Sequence, residues 1–403
     1  MPKRVLIFSL NYYPRFVGGA EVAIKEITDR ISPELVEFHL LTLRFDSTLP
    51  RYEKIGNVHV HRIGFTQPNP SIADLVRFPL KLNKHLFQLY AAWAAHKLHR
   101  KYRFSVTWAM MAHSCGIPAG IFKKAHPEVK YLLTLQEGDP PEHIEGMMRP
   151  VWPLFRAGFL RADALQTIST FLAQWGLRMG FTGSPQVVPN GVDAERFAQE
   201  FTAQQRSDAQ RELGKREGEV YLVTTSRLVH KNGIDTVIRA LPHLPVPVLF
   251  LVYGIGPLEE DLRALAGSLG VSDRVRFMGE VQHTELPRLL SACDIFIRPS
   301  RSEGMGNSFI EAMAAGLPVI ATQEGGIADF LFDAERNPDV SATGWAVDAD
   351  DHLQVARAVT QILDDPDNSV RTTAYARSVV LEKYQWDMVA LRMQEILLRL
   401  AKV

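Results

Sequence analysis

Short apolar runs alternate with longer amphipathic stretches along this chain, and that alternation is its strongest constraint on the fold. An apolar run at 5–9 is followed by an amphipathic stretch at 21–31 and by a second run at 38–42. Central strands of a parallel sheet read as continuous apolar runs because helices cover both faces of the sheet. The pattern therefore predicts an α/β fold built from βαβ units.

The same alternation starts again in the second half of the chain. Strands are expected at 220–225, 248–253 and 295–298, and helices at 233–241 and 258–269. At about 150 residues per domain, a chain of 403 residues corresponds to two or three domains. The restart therefore predicts a second α/β domain of similar construction.

The boundary between the two halves is expected near residue 195. Residues 187–193 end a strand in a turn, and the polar segment 199–219 follows as the candidate linker. The same residues would also suit a surface connection within one large sheet. We expect domains at 1–195 and 196–385, followed by an amphipathic closing helix.

Charge and cysteine content exclude several classes of protein. The chain has 45 Lys and Arg against 45 Asp and Glu, whereas dedicated nucleic-acid binders usually carry a strong positive charge. Cys115 and Cys293 are too far apart in sequence for a local zinc motif and indicate a reducing setting. The run at 5–9 is too short for a signal peptide, and no apolar run reaches the length of a spanning helix. We expect a cytoplasmic protein that does not bind nucleic acid.

The most informative segment runs from residue 298 to residue 316 and reads RPSRSEGMGNSFIEAMAAG. A strand ends near Arg298, a loop carries Gly304 and Gly306, and a helix is expected from Ser308. Glycines let backbone amides approach an anion closely, and a helix amino terminus adds the positive end of its dipole. The segment therefore predicts a site for a diphosphate.

Two carboxylates flank this predicted anion site. Glu303 precedes the glycine turn and Glu311 lies within the helix, so both are placed to accept hydrogen bonds from sugar hydroxyls. Ser308 and Glu311 also have the spacing of a helix capping box, which alone would account for Glu311. The sequence leaves both interpretations of Glu311 open.

Two cations follow the first strand of the second half. Arg227 and Lys231 lie four residues apart at the exit of the strand at 220–225. At the carboxyl edge of a sheet they would neutralise a diphosphate leaving group, whereas elsewhere they would be a solvated basic turn.

Further glycine pairs stand where loops follow predicted strands. Gly325 and Gly326 form either a second ligand-binding loop or a simple turn. The 254–257 turn, GIGP, lacks the third glycine of a dinucleotide-binding motif and is weak evidence for NAD. Gly18 and Gly19 open the first helix, where they would face a phosphate or a sugar.

Together these segments resemble the retaining nucleotide-sugar glycosyltransferases of family 4. The matching segments are GGAE at 18–21, VPNGVD at 188–193, SRL at 226–228 with Lys231, GIGP at 254–257 and the E-x7-E element from Glu303 to Glu311. Their order and spacing cover nearly the whole chain. The resemblance implies the GT-B fold, an α/β architecture in which two Rossmann-like domains face each other across a deep cleft. It also implies that 386–403 returns to the first domain.

The resemblance assigns roles to individual residues. The second domain would bind the donor, with Arg227 and Lys231 holding the diphosphate and Glu303 contacting the transferred sugar as the catalytic set. Glu311 would bind the ribose. The remaining implied donor-binding residues are Gly18, Gly19, Gly256, Gly304, Met305, Gly306, Asn307 and Ser308.

The chain departs from the family pattern at two places. Many relatives carry the basic residue of the clamp five positions after the arginine, where this chain has Asn232, so Lys231 is a shifted assignment. A family histidine that follows a strand of the first domain has no direct counterpart. His113 stands near that place and is expected either to bind the acceptor or to be an ordinary loop histidine.

The reaction that the resemblance implies is transfer of a hexose from a UDP- or GDP-sugar to an acceptor hydroxyl. We expect front-face substitution with retention, without a metal ion or other cofactor, because no D-x-D pair is placed to hold a cation. The alternatives are a nucleotide-sugar 2-epimerase of the same architecture and a non-catalytic nucleotide-sugar-binding protein.

The acceptor is expected in the first domain and is a glycan, a lipid-linked sugar or a small molecule. Glu137 and Asp139 follow a strand on the side expected to face the acceptor, where they would bind its hydroxyls. They would equally serve as turn residues.

One segment suggests contact with a membrane. Residues 77–103 contain seven Lys or Arg and no Asp or Glu, with aromatic and aliphatic residues between them. This composition fits a helix lying on the inner face of an anionic membrane. It also fits helices that bury an apolar face and leave a basic face in solvent.

Overall fold

The computed structural model describes residues 2–15, 17–71 and 73–402, which form two compact units. Unit 1 comprises Met1–Asn190 and Trp386–Val403, and unit 2 comprises Gly191–Gln385. The division falls after Asn190, earlier than the expected boundary at 195. The reason is local pairing, since the Val192 amide donates to the Tyr384 carbonyl at 2.6 Å within unit 2.

Unit 1 contains a parallel sheet with one antiparallel edge strand. Its strands are β1 (Lys3–Phe8), β2 (Val36–Leu43), β3 (Tyr52–Ile55), β4 (Val58–Ile63), β5 (Val106–Met110), β6 (Lys130–Leu135), β7 (Ala164–Thr167) and β8 (Gln186–Val187). Their order is β3-β4-β2-β1-β5-β6-β7-β8, and β3 runs antiparallel to β4. The chain reverses its direction of progress between β1 and β5, which creates a topological switch point there.

The helices of unit 1 cover this sheet. They are α1 (Gly19–Arg30), α2 (Lys81–Tyr102), α3 (Ile117–Ala125), α4 (Pro141–Met148), α5 (Trp152–Leu160) and α6 (Thr170–Arg178). The predicted first strand is fully buried from Val5 to Phe8, as expected for a central strand with helices on both faces. Among the described residues, no helix combines the length and apolar character needed to cross a membrane.

Unit 2 contains a second parallel sheet, and its strand order is that of a Rossmann fold. The strands are β9 (Val220–Thr225), β10 (Val248–Tyr253), β11 (Val275–Gly279), β12 (Ile295–Arg298), β13 (Val319–Ala321) and β14 (Trp345–Ala346). They are ordered β11-β10-β9-β12-β13-β14, so the switch point lies between β9 and β12.

One helix of unit 2, Ala203–Glu212, lies inside the segment that the sequence marked as a linker. The helices of this unit are α7 (Ala194–Phe197), α8 (Ala203–Glu212), α9 (Ile234–Ala240), α10 (Glu259–Ser268), α11 (Leu286–Leu290), α12 (Asn307–Ala314), α13 (His352–Asp364) and α14 (Pro366–Lys383). The interpretation of 199–219 as a linker was wrong. Thr202 caps α8 by accepting from the Gln205 amide, and the Gln205 side chain accepts from the Thr202 amide, so this polar stretch folds as a helix.

The last helix, α15 (Trp386–Leu400), belongs to unit 1 although it follows unit 2 in sequence. Its buried residues Met393 and Ile396 join the same core as Ile24 and Ile27 of α1. The amphipathic pattern predicted this helix. Its apolar stripe is therefore covered by the first half of the chain.

Candidate functional site

The loops that follow β9 and β12 meet at the switch point of unit 2. Open α/β sheets bind ligands at such a point, outside the carboxyl ends of the strands. Arg227 and Lys231 lie in the loop after β9, and Glu303 lies in the loop after β12. The arrangement brings the predicted catalytic residues to one edge of one sheet.

Gly233 locks these two loops together. Its φ is +66°, and a Cβ atom at this position would stand 2.1 Å from the carbonyl oxygen of Pro299. The Arg301 amide donates to the Lys231 carbonyl at 2.7 Å, which adds a second link. A side chain at residue 233 would force the loops apart, so glycine is required there.

Asn232, the residue that replaces the basic residue of many relatives, supports the loop from inside. It is buried, and its Nδ2 donates to the Arg227 carbonyl oxygen at 2.6 Å. The side chain of Arg227 is exposed, and Lys231 is half-buried. Asn232 therefore fixes the turn that carries both cations.

The 254–257 turn packs against the same loop. A Cβ atom at Gly256 would lie 2.4 to 2.7 Å from backbone atoms of Leu228, and the Leu228 amide donates to the Ile255 carbonyl at 3.1 Å. This close approach explains the glycine in physical terms. A contact between Gly256 and the donor stays a prediction.

The Gly325–Gly326 turn, for which the sequence left two interpretations, packs on the backbone of Glu303. Gly325 has φ +62°, and a Cβ atom there would stand 2.1 Å from the Glu303 carbonyl oxygen. The Gly326 amide donates to that same oxygen at 3.0 Å. The turn thus supports the loop that carries Glu303.

The carboxylate of Glu303 forms a buried ion pair with Arg298. The Nη2 atom of Arg298 lies 2.9 Å from Oε1 of Glu303, and the two residues are 5% and 9% exposed. Nη1 of Arg298 donates to the Ser308 hydroxyl at 2.8 Å and to the Thr225 carbonyl at 3.1 Å. Burial lowers the pKa of Arg298 and the Glu303 charge opposes that effect, yet a guanidinium stays protonated at neutral pH.

The sequence pattern predicts Arg298 as the end of a strand and indicates no role for its side chain. The available signal was a charged residue that directly follows the apolar run Ile295 to Ile297. A buried charge must be paired, and its partner is set by the tertiary structure. Arg298 joins β9, the Glu303 loop and the start of α12.

The capping-box interpretation of Glu311 was wrong. Helix α12 begins after Gly306, which has φ +90°, and no side chain caps it. The Ser308 hydroxyl accepts from Arg298, while Oε1 of Glu311 lies 2.9 Å from Nε2 of His283. The hydrogen bond to Glu311 raises the pKa of His283. His283 is a second residue that sequence reasoning missed.

The remaining predicted donor residues surround the start of α12. Met305 is 2% exposed, so its side chain is packed inside the unit. A Cβ atom at Gly306 would stand 2.5 Å from the Phe309 ring, which explains the glycine. Gly304 is buried, whereas Asn307 is partly exposed at the first turn of the helix. Their contacts with a donor stay predictions.

In unit 1, Glu137 and His113 lie together after β6 and β5, beside the switch point between β1 and β5. Oε1 of Glu137 accepts from the Ala112 amide at 2.6 Å and lies 3.4 Å from Nδ1 of His113. Oε2 accepts from the Gln136 amide at 2.9 Å. The Glu137 side chain is buried, so it anchors the π-helical turn Ala112–Gly116 and is not open to an acceptor. His113 is partly exposed.

Gly18 and Gly19 lie at the exposed start of α1. The Gly18 amide donates to Oε2 of Glu21 at 2.7 Å, and Nε2 of Gln136 donates to the Gly19 carbonyl at 3.3 Å. Burial raises the pKa of Glu21. Through the Gln136 contact, the GGAE segment and the Glu137 turn are neighbours.

The predicted acceptor residue Asp139 is exposed in the loop before α4.

The fold defines a class of protein. The sucrose-phosphate synthase structure from Thermosynechococcus elongatus superposes with a TM-score of 0.80 at 21% identity, covering 99% of this chain and 99% of that one. The fold class is therefore GT-B, with two Rossmann-like domains in one chain.

Two family models then identify the chain. The model "Glycosyltransferase Family 4" matches residues 17–196, and "Glycosyl transferases group 1" matches residues 205–379. The chain belongs to glycosyltransferase family 4.

Curated relatives are similar over different extents. The GDP-mannose-dependent alpha-(1-6)-phosphatidylinositol monomannoside mannosyltransferase of Mycobacterium tuberculosis is 34% identical over 246 residues, 58% of this chain and 61% of that protein. The chain thus matches about three fifths of that relative. D-inositol 3-phosphate glycosyltransferase of Streptomyces avermitilis is 28% identical, covering 96% of this chain and 86% of that protein.

Proposed function

We propose that this protein is a hexosyltransferase that moves a hexose, with retention, from a GDP- or UDP-sugar to an acceptor hydroxyl. The observation that carries the proposal is the interlocked edge of unit 2, where Gly233 and Gly325 hold three loops together. Arg227 and Lys231 lie in the loop after β9, and Glu303 lies in the loop that leads from β12 into α12. The relative named for GDP-mannose makes GDP-mannose the first donor to test.

The diphosphate would bind between the cations and the helix start. Arg227 and Lys231 supply positive charge from the loop after β9, and the amino terminus of α12 supplies the positive end of a helix dipole. Both stabilise the negative charge that develops on the leaving diphosphate. Fixed donors of this kind are worth about 3 to 4 kcal/mol of barrier each when removed.

Glu303 suits sugar binding better than nucleophilic attack. Its Oε1 atom accepts hydrogen bonds from Arg298 and Ser300, and the Arg298 charge makes that carboxylate a weaker nucleophile. The pairing supports front-face substitution. The acceptor oxygen bonds to the anomeric carbon, the bond from that carbon to the phosphate oxygen breaks, and the acceptor proton passes to the leaving phosphate.

The reaction as proposed uses no metal ion or other cofactor. Glu303 and Glu311 are each already paired with a positively charged or protonatable side chain, Arg298 and His283 respectively. Arg and Lys side chains of the protein would therefore neutralise the leaving diphosphate, as a divalent metal ion does in metal-dependent enzymes. Transfer measured with EDTA should equal transfer measured with Mg²⁺ or Mn²⁺, and restoration by a metal would contradict this part of the proposal.

His113 is the group in unit 1 best placed to meet an acceptor hydroxyl. Its Nδ1 faces Oε1 of Glu137 at 3.4 Å, so in the neutral ring Nδ1 carries the proton and Nε2 presents a lone pair. An imidazole lone pair accepts a hydrogen bond from a hydroxyl. The two relatives are named for a phosphatidylinositol mannoside and an inositol phosphate, which makes a cyclic polyol phosphate the first acceptor class to test.

The donor is tested by thermal shift with GDP-mannose, UDP-glucose and ADP-glucose. A donor at 100 times its Kd stabilises the folded protein by about 2.7 kcal/mol and raises its melting temperature. Arg227→Ala and Lys231→Ala should each reduce transfer about 100-fold or more while the melting temperature without ligand stays unchanged. Arg239→Ala, an exposed arginine on α9, is the matched control. Near-wild-type transfer by both variants would refute the clamp.

Product analysis distinguishes the alternative functions. Transfer gives a glycosylated acceptor whose anomeric proton reports retention or inversion by NMR. A 2-epimerase would convert the donor without an acceptor, and a non-catalytic binder would shift the melting temperature without transfer or donor hydrolysis.

A further inference from the structure

Helix α2 carries an apolar stripe on its solvent side. Leu82, Leu86, Leu89 and Trp93 follow one another at spacings of four, three and four residues, which places them within an arc of about 60°. Leu89 is 65% exposed and Trp93 is 49% exposed. Phe78, just before the helix, is 81% exposed. The stripe is therefore continuous over the first half of the helix.

The fold of unit 1 does not use this stripe. The opposite face of α2 packs on the core through Phe87, Ala91 and Ala95, which are buried. A surface helix normally has one apolar face and one polar face. A second apolar face on the solvent side, with several large residues side by side, marks an interaction site.

A cavity opens beside the stripe. It has a volume of about 500 Å³ and is lined by Leu43, Phe65, Leu86, Tyr90 and Trp93 among others. Asn83 is the amide side chain in its wall, and its Oδ1 and Nδ2 atoms are bonded to the backbone of Phe65, at 2.7 and 2.8 Å. The other polar atoms of the lining side chains are the Tyr90 hydroxyl and the Trp93 ring nitrogen, each on a largely apolar side chain, so the cavity suits an aliphatic chain.

The charge around the stripe is positive. The segment 77–103 has seven Lys or Arg and no Asp or Glu. Within the described part of the chain, Arg77 is the one of these seven that forms an ion pair, with Asp74 at 3.7 Å. Lys97 lies over the Trp93 ring with Nζ 3.6 Å from its centre, and Arg100 is exposed further along the helix. Cations thus stand at the end of the apolar stripe.

We propose that this surface of α2 binds an anionic phospholipid bilayer, with an acyl chain of one lipid in the cavity. Apolar side chains enter the boundary between headgroups and acyl chains, while Lys and Arg bind the anionic headgroups. A second copy of the chain fits less well, because a symmetric contact would bring the two basic segments together. The surface belongs to unit 1 and the proposed donor site to unit 2, so this inference stands independently of the proposed function.

The test is sedimentation of the full chain with extruded vesicles. One set is pure phosphatidylcholine, and the other contains about one-third phosphatidylglycerol, which supplies the negative surface potential. We expect binding to the anionic vesicles, weakened at least about tenfold by high salt or by omitting phosphatidylglycerol.

Two double variants examine the two components of the surface separately. Leu89→Ser with Trp93→Ser removes apolar contacts, and Lys97→Gln with Arg100→Gln removes charge. Each should reduce binding to anionic vesicles about tenfold or more. The control is Val246→Ser in unit 2, where the side chain is 81% exposed, and its binding should equal that of the parent chain.

Three outcomes would overturn the proposal. The first is no binding to anionic vesicles at low salt, and the second is undiminished binding by both double variants. The third is a concentration-dependent dimer that the Leu89→Ser, Trp93→Ser variant abolishes, which would make a second copy the occupant. Because all four positions are exposed, the melting temperature and the nucleotide-sugar thermal shift should match those of the parent chain.

Discussion

Arg298 connects three segments of the candidate site in unit 2. Its guanidinium contacts Thr225 at the end of β9, Glu303 in the following loop and Ser308 in α12. It also lies over the Phe309 ring, 4.2 Å from the centre. Such a buried, multiply bonded cation holds the loop geometry because each partner would otherwise be left unsatisfied.

Removing the cation should therefore destabilise the protein strongly. Arg298→Met leaves the Glu303 carboxylate buried without its partner, and breaking one side of a buried ion pair costs about 3 to 5 kcal/mol. The free energy of unfolding from urea titration measures this loss. Arg263→Met, which removes an exposed partner of Glu259 at 2.7 Å, should cost less than about 1 kcal/mol.

A double variant separates stability from function at the same pair. Arg298→Met with Glu303→Leu removes both charges, so its free energy of unfolding should return most of the way to that of the parent chain. Donor binding should be lost in the double variant, because the Glu303 carboxylate is absent. If the double variant is as unstable as Arg298→Met alone, an unpaired carboxylate is not the cause of the instability.

Gly325 offers a prediction about close packing. Gly325 and Gly270 have similar φ angles, +62° and +68°, but a Cβ atom would meet the Glu303 carbonyl at 2.1 Å in the first case and nothing within 4 Å in the second. Gly270→Ala should cost about 1 to 2 kcal/mol from the backbone conformation alone. Gly325→Ala should cost more and should also weaken the thermal shift by nucleotide sugar. Equal effects of the two variants would show that the contact with Glu303 is unimportant.

The residues of the site were predictable to different degrees. Glu303 and the glycines of its loop stand in a contiguous motif, so the sequence alone pointed to them. Arg298 and His283 acquire their roles through partners that only the folded chain brings near. Glu137 was identified from its position after a strand, but its burial against the 112–116 turn depends on tertiary packing.

Among the helices and strands, the sequence predicted most accurately those whose apolar residues form one continuous run or lie on one face. The run 248–253 predicts β10 and the stretch from residue 386 predicts α15 at the bounds that the structure shows. Helix α2 was harder, because apolar residues occur on both its buried and its exposed face and the periodic signal cancels. The local hydrogen bonds that cap α8 were likewise hidden within a polar stretch.

Strands β2 and β4 place three histidines side by side. Nδ1 of His39 lies 3.0 Å from Nε2 of His61, and His39 stacks on His59 with ring centres 4.9 Å apart. Burial, together with repulsion from His39, His59 and Lys101, lowers the pKa of His61 to about 4. Burial also lowers the pKa of His39 and of His59.

These lowered pKa values predict that acid destabilises unit 1. The folded protein keeps the rings neutral, so their contribution is fully present above the unfolded pKa of about 6.5 and is lost as pH falls toward about 4. Melting temperatures across this range should fall in the parent chain and fall less in His61→Gln. The exposed His143→Gln on α4 is the control and should follow the parent curve. Parallel curves for all three would contradict the prediction.

The whole molecule is two units joined by a chain that crosses between them after Asn190 and again after Gln385. The repeated α/β pattern indicated two domains, but it could not fix where they divide. The crossing is set by single hydrogen bonds such as that of the Val192 amide, which no pattern of residue types encodes. The return of α15 to the first unit was implied only by the family resemblance.

Separate cores predict that the two units unfold in separate steps. Met393 of α15 is fully buried in the core of unit 1, together with Ile24 of α1, whereas Met388 of the same helix is 42% exposed. Met393→Ala removes buried side-chain volume and should destabilise unit 1 by about 2 to 5 kcal/mol, and Met388→Ala should have little effect.

Calorimetry with and without a donor then assigns each step. A nucleotide sugar that binds unit 2 should raise one transition, and Met393→Ala should lower the other while leaving the first in place. Helix α15 follows unit 2 in sequence. If it unfolded together with unit 2, Met393→Ala would instead lower the transition that the donor raises. A single transition that both the donor and the variant move would mean that the units unfold as one cooperative body.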